Sequence, residues 1–197
     1  MHACAGVPGE DPVATRVRRF QTKRFDAPPF APQKGTTALV HTGYGGVLDA
    51  TWQDGRLWAS AANACTPAGD SEIRACLHLI EIDTATNRLR QDFYRGRMGA
   101  YYFYPALRET QQGDLAVVFG ASSSTAYASI QYSAQLRDDR RNTLRPPALL
   151  RKGEGFDQSE RYGDYFGAGM DPVKGDRVWV VGEYMGSGNG SDWRTYV

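Results

Sequence analysis

The chain has 197 residues, 41% of them hydrophobic, so it can bury a core as one domain or as part of a larger one. Its 23 basic and 22 acidic residues leave a formal net charge of +1. A balance this even excludes the broad positive field that would attract nucleic acid or an anionic membrane. No stretch approaches the ~20 apolar residues of a membrane-spanning helix.

Residues 1–35 carry little pattern and are predicted to be irregular and extended. The prolines between residues 26 and 32 remove ladder donors, and the basic residues between 16 and 24 come without an aromatic platform or a helical period. We interpret this region as a solvated connector rather than a polybasic arm. It lacks the apolar core of a signal peptide, and we expect that a preceding part of the protein is missing.

The most informative pattern is a repeat of three glycine-centred turns. Gly55, Gly113 and Gly175 each follow a short apolar run and precede a run rich in β-forming residues. They are separated by 58 and 62 positions. The pattern predicts three β-hairpins.

Further strands follow the hairpins. Period-two alternation predicts third strands over residues 76–83, 127–136 and 193–197, and fourth strands over 89–94 and 147–151. Because four strands per repeat are typical of a propeller blade, we predict an all-β chain forming an incomplete β-propeller of about three four-stranded antiparallel blades. The propeller region is residues 36–197, with blades over residues 44–98, 99–155 and 156–197.

A β-sandwich is the structural alternative, but it does not require the same turn to recur at near-constant spacing. Repeats of ~60 residues exceed those of the familiar propeller blades, and loop insertions account for the excess. The repeat is interrupted at both ends of the region. We therefore expect the remaining blades to be missing from this chain or supplied by a partner.

Two cysteines lie at the ends of neighbouring predicted strands. Cys65 ends one strand and Cys76 starts the next, with a turn-forming segment between them, so we predict a disulfide. Such a bond favours a secreted or extracytoplasmic location; two reduced cysteines are the alternative. Cys4 has no evident partner. The three histidines lie far apart in the sequence, and we predict no metal site and no cofactor.

Five segments carry a resemblance to a known group: residues 64–70, 74–83, 104–107, 118–124 and 161–172. Together they resemble a group of uncharacterised secreted bacterial β-propeller proteins, and the wider fold is similar to sialidase-like propellers. The resemblance implies an extracytoplasmic propeller and brings no established activity with it. The chain departs from the group's pattern at Tyr162 and Phe166, where the group has Trp and Ser. It also lacks the Asp-box and an assignable arginine triad of sialidases.

A propeller places its sites where the inner strands begin, here near residues 46, 104 and 167. Tyr102 and Tyr104 are therefore candidate ligand-binding residues. Four further residues are candidates for sialidase-type catalysis: Arg161, Asp164, Tyr165 and Glu183. In that interpretation Arg161 binds a substrate carboxylate, Asp164 is the acid, Tyr165 is the nucleophile and Glu183 polarises a nucleophilic tyrosine.

A structural interpretation explains the same residues and is the one we favour. Asp164 accepts backbone N–H groups at a tight Gly163 turn, Arg161 pairs with it, and the tyrosines pack between blades. Glu183 pairs with an arginine of a neighbouring blade.

The leading functional prediction is accordingly non-catalytic: an extracytoplasmic module that binds a carbohydrate or a protein at its central face. A sialidase-like glycoside hydrolase is the second hypothesis. A purely structural repeat domain is the third.

Overall fold

The computed structural model describes residues 17–159, 161–163, 166–188 and 190–197. Within these ranges all regular structure is β, and the eleven strands form three antiparallel sheets. The described residues contain no helix that is long and apolar enough to cross a bilayer. The prediction of an all-β chain built from antiparallel sheets is confirmed.

Each sheet is formed by strands that follow one another in the chain. Sheet 1 contains β1 (Val47–Gln53), β2 (Arg56–Cys65), β3 (Arg74–Asp83) and β4 (Arg88–Arg95). Sheet 2 contains β5 (Tyr101–Glu109), β6 (Leu115–Ser123), β7 (Ala126–Gln135) and β8 (Ala148–Arg151). Sheet 3 contains β9 (Gly167–Met170), β10 (Val178–Met185) and β11 (Trp193–Tyr196).

The three predicted glycine turns join the first two strands of each sheet, and they touch one another in chain order. The guanidinium of Arg56 lies over Gly113, where a Cβ would be 2.2 Å from Nη2. Gln111 lies over Gly175 in the same way, and its N–H donates to the Gly175 carbonyl at 2.9 Å. The first turn therefore contacts the second, and the second contacts the third.

Sheet 2 lies between the other two sheets, and both of its faces are covered. One face packs against sheet 1 through a cluster of large side chains that includes Trp58, Leu79, Tyr102 and Phe119. The other face packs against sheet 3 through a smaller cluster of Ala106, Val118, Ile130 and Tyr184. Burial on both sides explains why β6 is almost continuously apolar instead of alternating.

The first strands of the three sheets meet, because β5 lies against both β1 and β9. Arg108 of β5 fastens this junction: its guanidinium donates to Thr51 Oγ1 at 3.0 Å and to the Ala168 carbonyl at 2.9 and 3.1 Å. Asp49 of β1 accepts the Leu107 N–H at 2.8 Å. The three sheets do not form a closed propeller.

An N-terminal strap, residues 17–42, covers the face of sheet 1 that points away from sheet 2. The ring of Phe25 packs on the buried His78 with centroids 4.7 Å apart. The Arg24 carbonyl accepts hydrogen bonds from Asn63 Nδ2 at 2.8 Å and from the Tyr94 hydroxyl at 2.6 Å. These contacts bury polar groups of sheet 1 that would otherwise face solvent.

The same strap continues onto sheet 2 and the connector that precedes sheet 3. The Pro32 carbonyl accepts a hydrogen bond from Ser122 Oγ at 2.9 Å. The side chain of Gln33 donates to the Asp157 carbonyl at 2.7 Å and accepts the Asp157 N–H at 2.8 Å. Both residues are buried. Their two hydrogen bonds hold the strap against the connector between β8 and β9, 124 positions further along the chain.

The predicted disulfide is confirmed: Cys65 and Cys76 are bonded, with Cα atoms 5.9 Å apart. The backbone of Gly96 lies directly on it, since a Cβ there would be 2.6 Å from the Cys76 sulfur. In the loop that the bond closes, Asp70 accepts hydrogen bonds from Arg74 Nε at 2.9 Å and from the Gly99 N–H at 3.0 Å. The disulfide loop is thus tied to the connector between sheets 1 and 2.

Candidate functional site

Tyr104 has an unusual backbone conformation in the middle of β5. Its φ is +50°, and the pairing of β5 with β6 shifts register between Phe103 and Ala106. Pro105 cannot donate to the ladder, which is why the strand bulges at this point. The bulge turns the Tyr104 side chain out of the normal alternation. Strain of this kind in a bulky residue is typical of functional sites.

The hydroxyl of Tyr104 contacts His41, a residue of the strap. Its oxygen lies 2.6 Å from Nδ1 of the imidazole, which also accepts the Gly43 N–H at 3.3 Å. Phe30 and Tyr44 pack on the same imidazole, with centroids 4.9 and 4.5 Å from it. His41 thus links Tyr104 to the rings of Phe30 and Tyr44.

A tight turn at Tyr162 and Gly163 covers the other side of the Tyr104 ring. Gly163 has φ +112°, and a Cβ there would lie 1.9 Å from Cε2 of Tyr104, so only glycine fits. Its N–H donates to Glu183 Oε2 at 3.2 Å, and the Tyr162 hydroxyl donates to the Glu183 carbonyl. Burial and the nearby Glu183 carboxylate raise the pKa of Tyr162 well above its usual range.

These elements border an open pocket of about 310 Å³ where β1, β5 and β9 meet, which we call the central pocket. The ring of Phe166 lies nearly parallel to that of Tyr104, at 11° and with centroids 6.4 Å apart. The half-buried carboxylate of Asp49 supplies a charged group. The pocket is lined by Leu48, Asp49, Tyr104, Pro105, Ala106, Gly163, Phe166, Gly167 and Ala168.

The predicted site residues are only partly brought together. Tyr104 lines the central pocket, whereas Tyr102 is 1% exposed and packs on Phe119 in the interface between sheets 1 and 2. Glu183 is also 1% exposed and holds the Gly163 turn. Arg161 is exposed. Asp164 and Tyr165 lie outside the described residues.

No arginine is among the described residues that line the central pocket. Arg108 lies where the first strands of the three sheets meet, and its guanidinium already donates to Thr51 and to the Ala168 carbonyl. A fork of this kind holds the strands together and is occupied before any substrate carboxylate arrives.

Sequence reasoning missed three residues of this region: His41, Asp49 and Phe166. The Tyr-Pro pair inside a predicted strand was an available signal, since proline in a strand favours a bulge. The glycines on either side of Tyr44 were another, because they indicate a turn that presents an aromatic side chain.

A second titratable group lies away from the pocket, in the interface between sheets 1 and 2. Glu109 of β5 is fully buried, and Nη2 of Arg56 is 2.6 Å from its Oε1. Burial raises the pKa of Glu109 to about 7, the charge of Arg56 opposes the shift, and the charges of Glu81 and Asp54 add to it. Gln91 donates to Glu81 Oε2 at 2.6 Å, so Glu81 has its own partner.

Over the described ranges, no group of three or more His, Cys, Asp or Glu side chains could hold a metal ion. Comparison with known proteins finds no matching protein family, no matching curated protein and no matching solved structure.

Proposed function

We propose that the chain is a β-propeller-type module of an extracytoplasmic protein and that it binds a small neutral carbohydrate in its central pocket. Three features support the propeller arrangement. The first strands of consecutive sheets lie side by side, the sheets stack in chain order, and the glycine turns contact one another in the same order. The Cys65–Cys76 disulfide is compatible with an extracytoplasmic location.

The proposal rests on one observation: a bulged, positive-φ Tyr104 presents its ring to a pocket that also contains a carboxylate. Sugars offer apolar C–H faces that lie on aromatic rings, and hydroxyl groups that donate to carboxylates. Tyr104 and Phe166 provide the rings. Each carboxylate oxygen of Asp49 already accepts one backbone N–H, from Ala50 or Leu107, and its second lone pair provides the acceptor. A pocket of about 310 Å³ suits one sugar unit rather than a protein surface.

The test is to titrate the protein with a panel of neutral monosaccharides. Binding is detected by calorimetry and by ligand-observed NMR. The decisive variant is Tyr104→Gly, because glycine adopts φ +50° without strain and removes the ring. We expect it to weaken binding of any sugar hit by about tenfold or more. Tyr104→Phe keeps the ring and removes the hydroxyl group that contacts His41, so it should retain binding.

Trp52→Ala is the matched control, because Trp52 is an exposed aromatic residue that does not line the pocket. Thermal unfolding of each variant checks that the fold is intact. If wild type binds no neutral monosaccharide, or if Tyr104→Gly binds as well as wild type, the assignment of this pocket is wrong.

A glycoside hydrolase built on Arg161, Asp164, Tyr165 and Glu183 is the second hypothesis. It is weaker because Glu183 is buried and already accepts the Gly163 N–H. A screen with fluorogenic glycosides separates the two hypotheses. Turnover that disappears in a Glu183→Gln variant of unchanged melting temperature would favour hydrolysis over binding.

A further inference from the structure

A larger cavity of about 670 Å³ lies on a different part of the molecule. It is bounded by the connector between β4 and β5, by the outer strands β7 and β8, and by Lys34 of the strap. It shares no lining residue with the central pocket. We call it the outer cleft.

The rim of the outer cleft is positively charged. Lys34, Arg97 and Lys152 are all exposed and all line it, and none of them forms an ion pair with an acidic residue in the part of the chain that the structure describes. Glu154 is the acidic residue of the lining, and Arg151 neutralises it at 2.9 Å. Three cations without counter-charges around one concave surface favour an anionic ligand.

The floor of the cleft is rigid and polar. Ser129 Oγ donates to the Tyr127 carbonyl at 2.8 Å and accepts the Gly153 N–H at 2.9 Å, which fixes the strand and the segment after β8 against each other. Ser123 and Thr125 also line the cleft, and their hydroxyl oxygens lie 3.2 Å apart. A hydroxyl group of a ligand can donate to either oxygen.

The walls of the cleft are apolar. Met98 and Leu149 expose large side chains to it, and the ring of Tyr127 lies beside them with Lys34 Nζ 5.4 Å from its centroid. A ligand that matches all three surfaces carries a negative group, hydroxyl donors and an apolar face.

We propose that the outer cleft is a second binding site, for a hydroxylated carboxylate of the size of a hexuronate. Lys34, Arg97 and Lys152 bind the carboxylate, and Ser123 and Thr125 accept a hydroxyl proton. The ring face lies against Tyr127, Met98 and Leu149. This site is independent of the central pocket.

Glucuronate and glucose are the matched probes, because they share a ring and differ by a carboxylate in place of a hydroxymethyl group. At low ionic strength we expect saturable binding of glucuronate that is at least about tenfold tighter than glucose binding at this site, and that weakens as salt is added. Ligand-induced NMR shifts should fall on the residues of the outer cleft.

The double variant Lys34→Gln/Lys152→Gln should weaken glucuronate binding by about tenfold and flatten its salt dependence. Both residues are exposed, so the fold should persist. Lys174→Gln removes an exposed lysine elsewhere and should change nothing. Tyr104→Gly, which alters the central pocket, should leave glucuronate binding unchanged.

Two results would overturn the proposal. One is equal glucuronate affinity in wild type and the double variant. The other is competition by acetate as strong as that by glucuronate, because acetate has the charge but not the hydroxylated ring.

Discussion

Replacing Glu109 by glutamine should remove a pH-dependent loss of stability. The folded protein raises the pKa of this carboxyl from an ordinary 4.5 to about 7. At pH 4 the side chain is protonated in both the folded and the unfolded chain, and glutamine is its near-isostere, so the two proteins should be equally stable. Above pH 7 the wild-type carboxylate is ionised in both states. The raised pKa then corresponds to ~3 kcal/mol of lost folding free energy.

The direction of the pH dependence of stability follows from the number of protons bound by the folded and the unfolded chain. Between pH 4.5 and about 7 the folded protein holds more protons at Glu109 than the unfolded chain does, so the free energy of unfolding falls as the pH rises. His78 acts in the opposite direction. Burial lowers its pKa despite the bond to Asp92 Oδ1 at 2.6 Å, so its contribution is lost as the pH falls below its ordinary 6.5. The difference between wild type and Glu109→Gln cancels the His78 contribution.

The assay is urea unfolding at a series of pH values from 4 to 9, monitored by tryptophan fluorescence. We expect Glu109→Gln to become more stable than wild type as the pH rises, by ~3 kcal/mol at the plateau. Glu72→Gln is the control, because Glu72 is an exposed carboxyl, and it should follow wild type at every pH. A constant difference between wild type and Glu109→Gln across the series would refute the reasoning.

Three further predictions concern stability. Replacing Cys65 and Cys76 by serine should lower the free energy of unfolding by ~3 kcal/mol. A reducing agent should lower the melting temperature of the wild type and leave that of this variant unchanged. Gly163→Ala should cost more than ~2 kcal/mol by thermal unfolding, whereas Gly169→Ala, which has open space around it, should change stability by less than ~0.5 kcal/mol. Arg108→Ala should cost ~2 kcal/mol, and an unchanged melting temperature would show that the junction of the inner strands does not depend on it.

Local signals in the sequence were sufficient to predict the strands and the turns that connect them. The turns at Gly55, Gly113 and Gly175 and the alternation of β3 and β7 depend on residues a few positions apart, and the structure has these hairpins where the pattern predicts them. The Cys65–Cys76 disulfide could be predicted for the same reason, because only eleven positions separate the two cysteines in the sequence.

The candidate site depends on contacts that local patterns do not encode. His41 and Tyr104 are 63 positions apart, and they meet only because a bulge at Pro105 redirects the tyrosine. Tyr102 was proposed as a ligand-binding residue because it precedes the predicted start of an inner strand, and its burial against Phe119 depends on the packing of sheet 2 on sheet 1. The pKa of Glu109 is likewise raised only because sheets 1 and 2 pack together and bury its carboxyl group.

The strap also constrains the order in which the molecule can be assembled. Gln33 is synthesised 124 residues before its hydrogen-bonding partner Asp157, a delay on the order of ten seconds during translation. Until then the strap has no docking site on the last connector, and closing so long a loop is entropically slow. The part of the strap around Gln33 therefore lacks this partner during that interval, although Phe25 and Arg24 can already contact sheet 1 once β4 has been made.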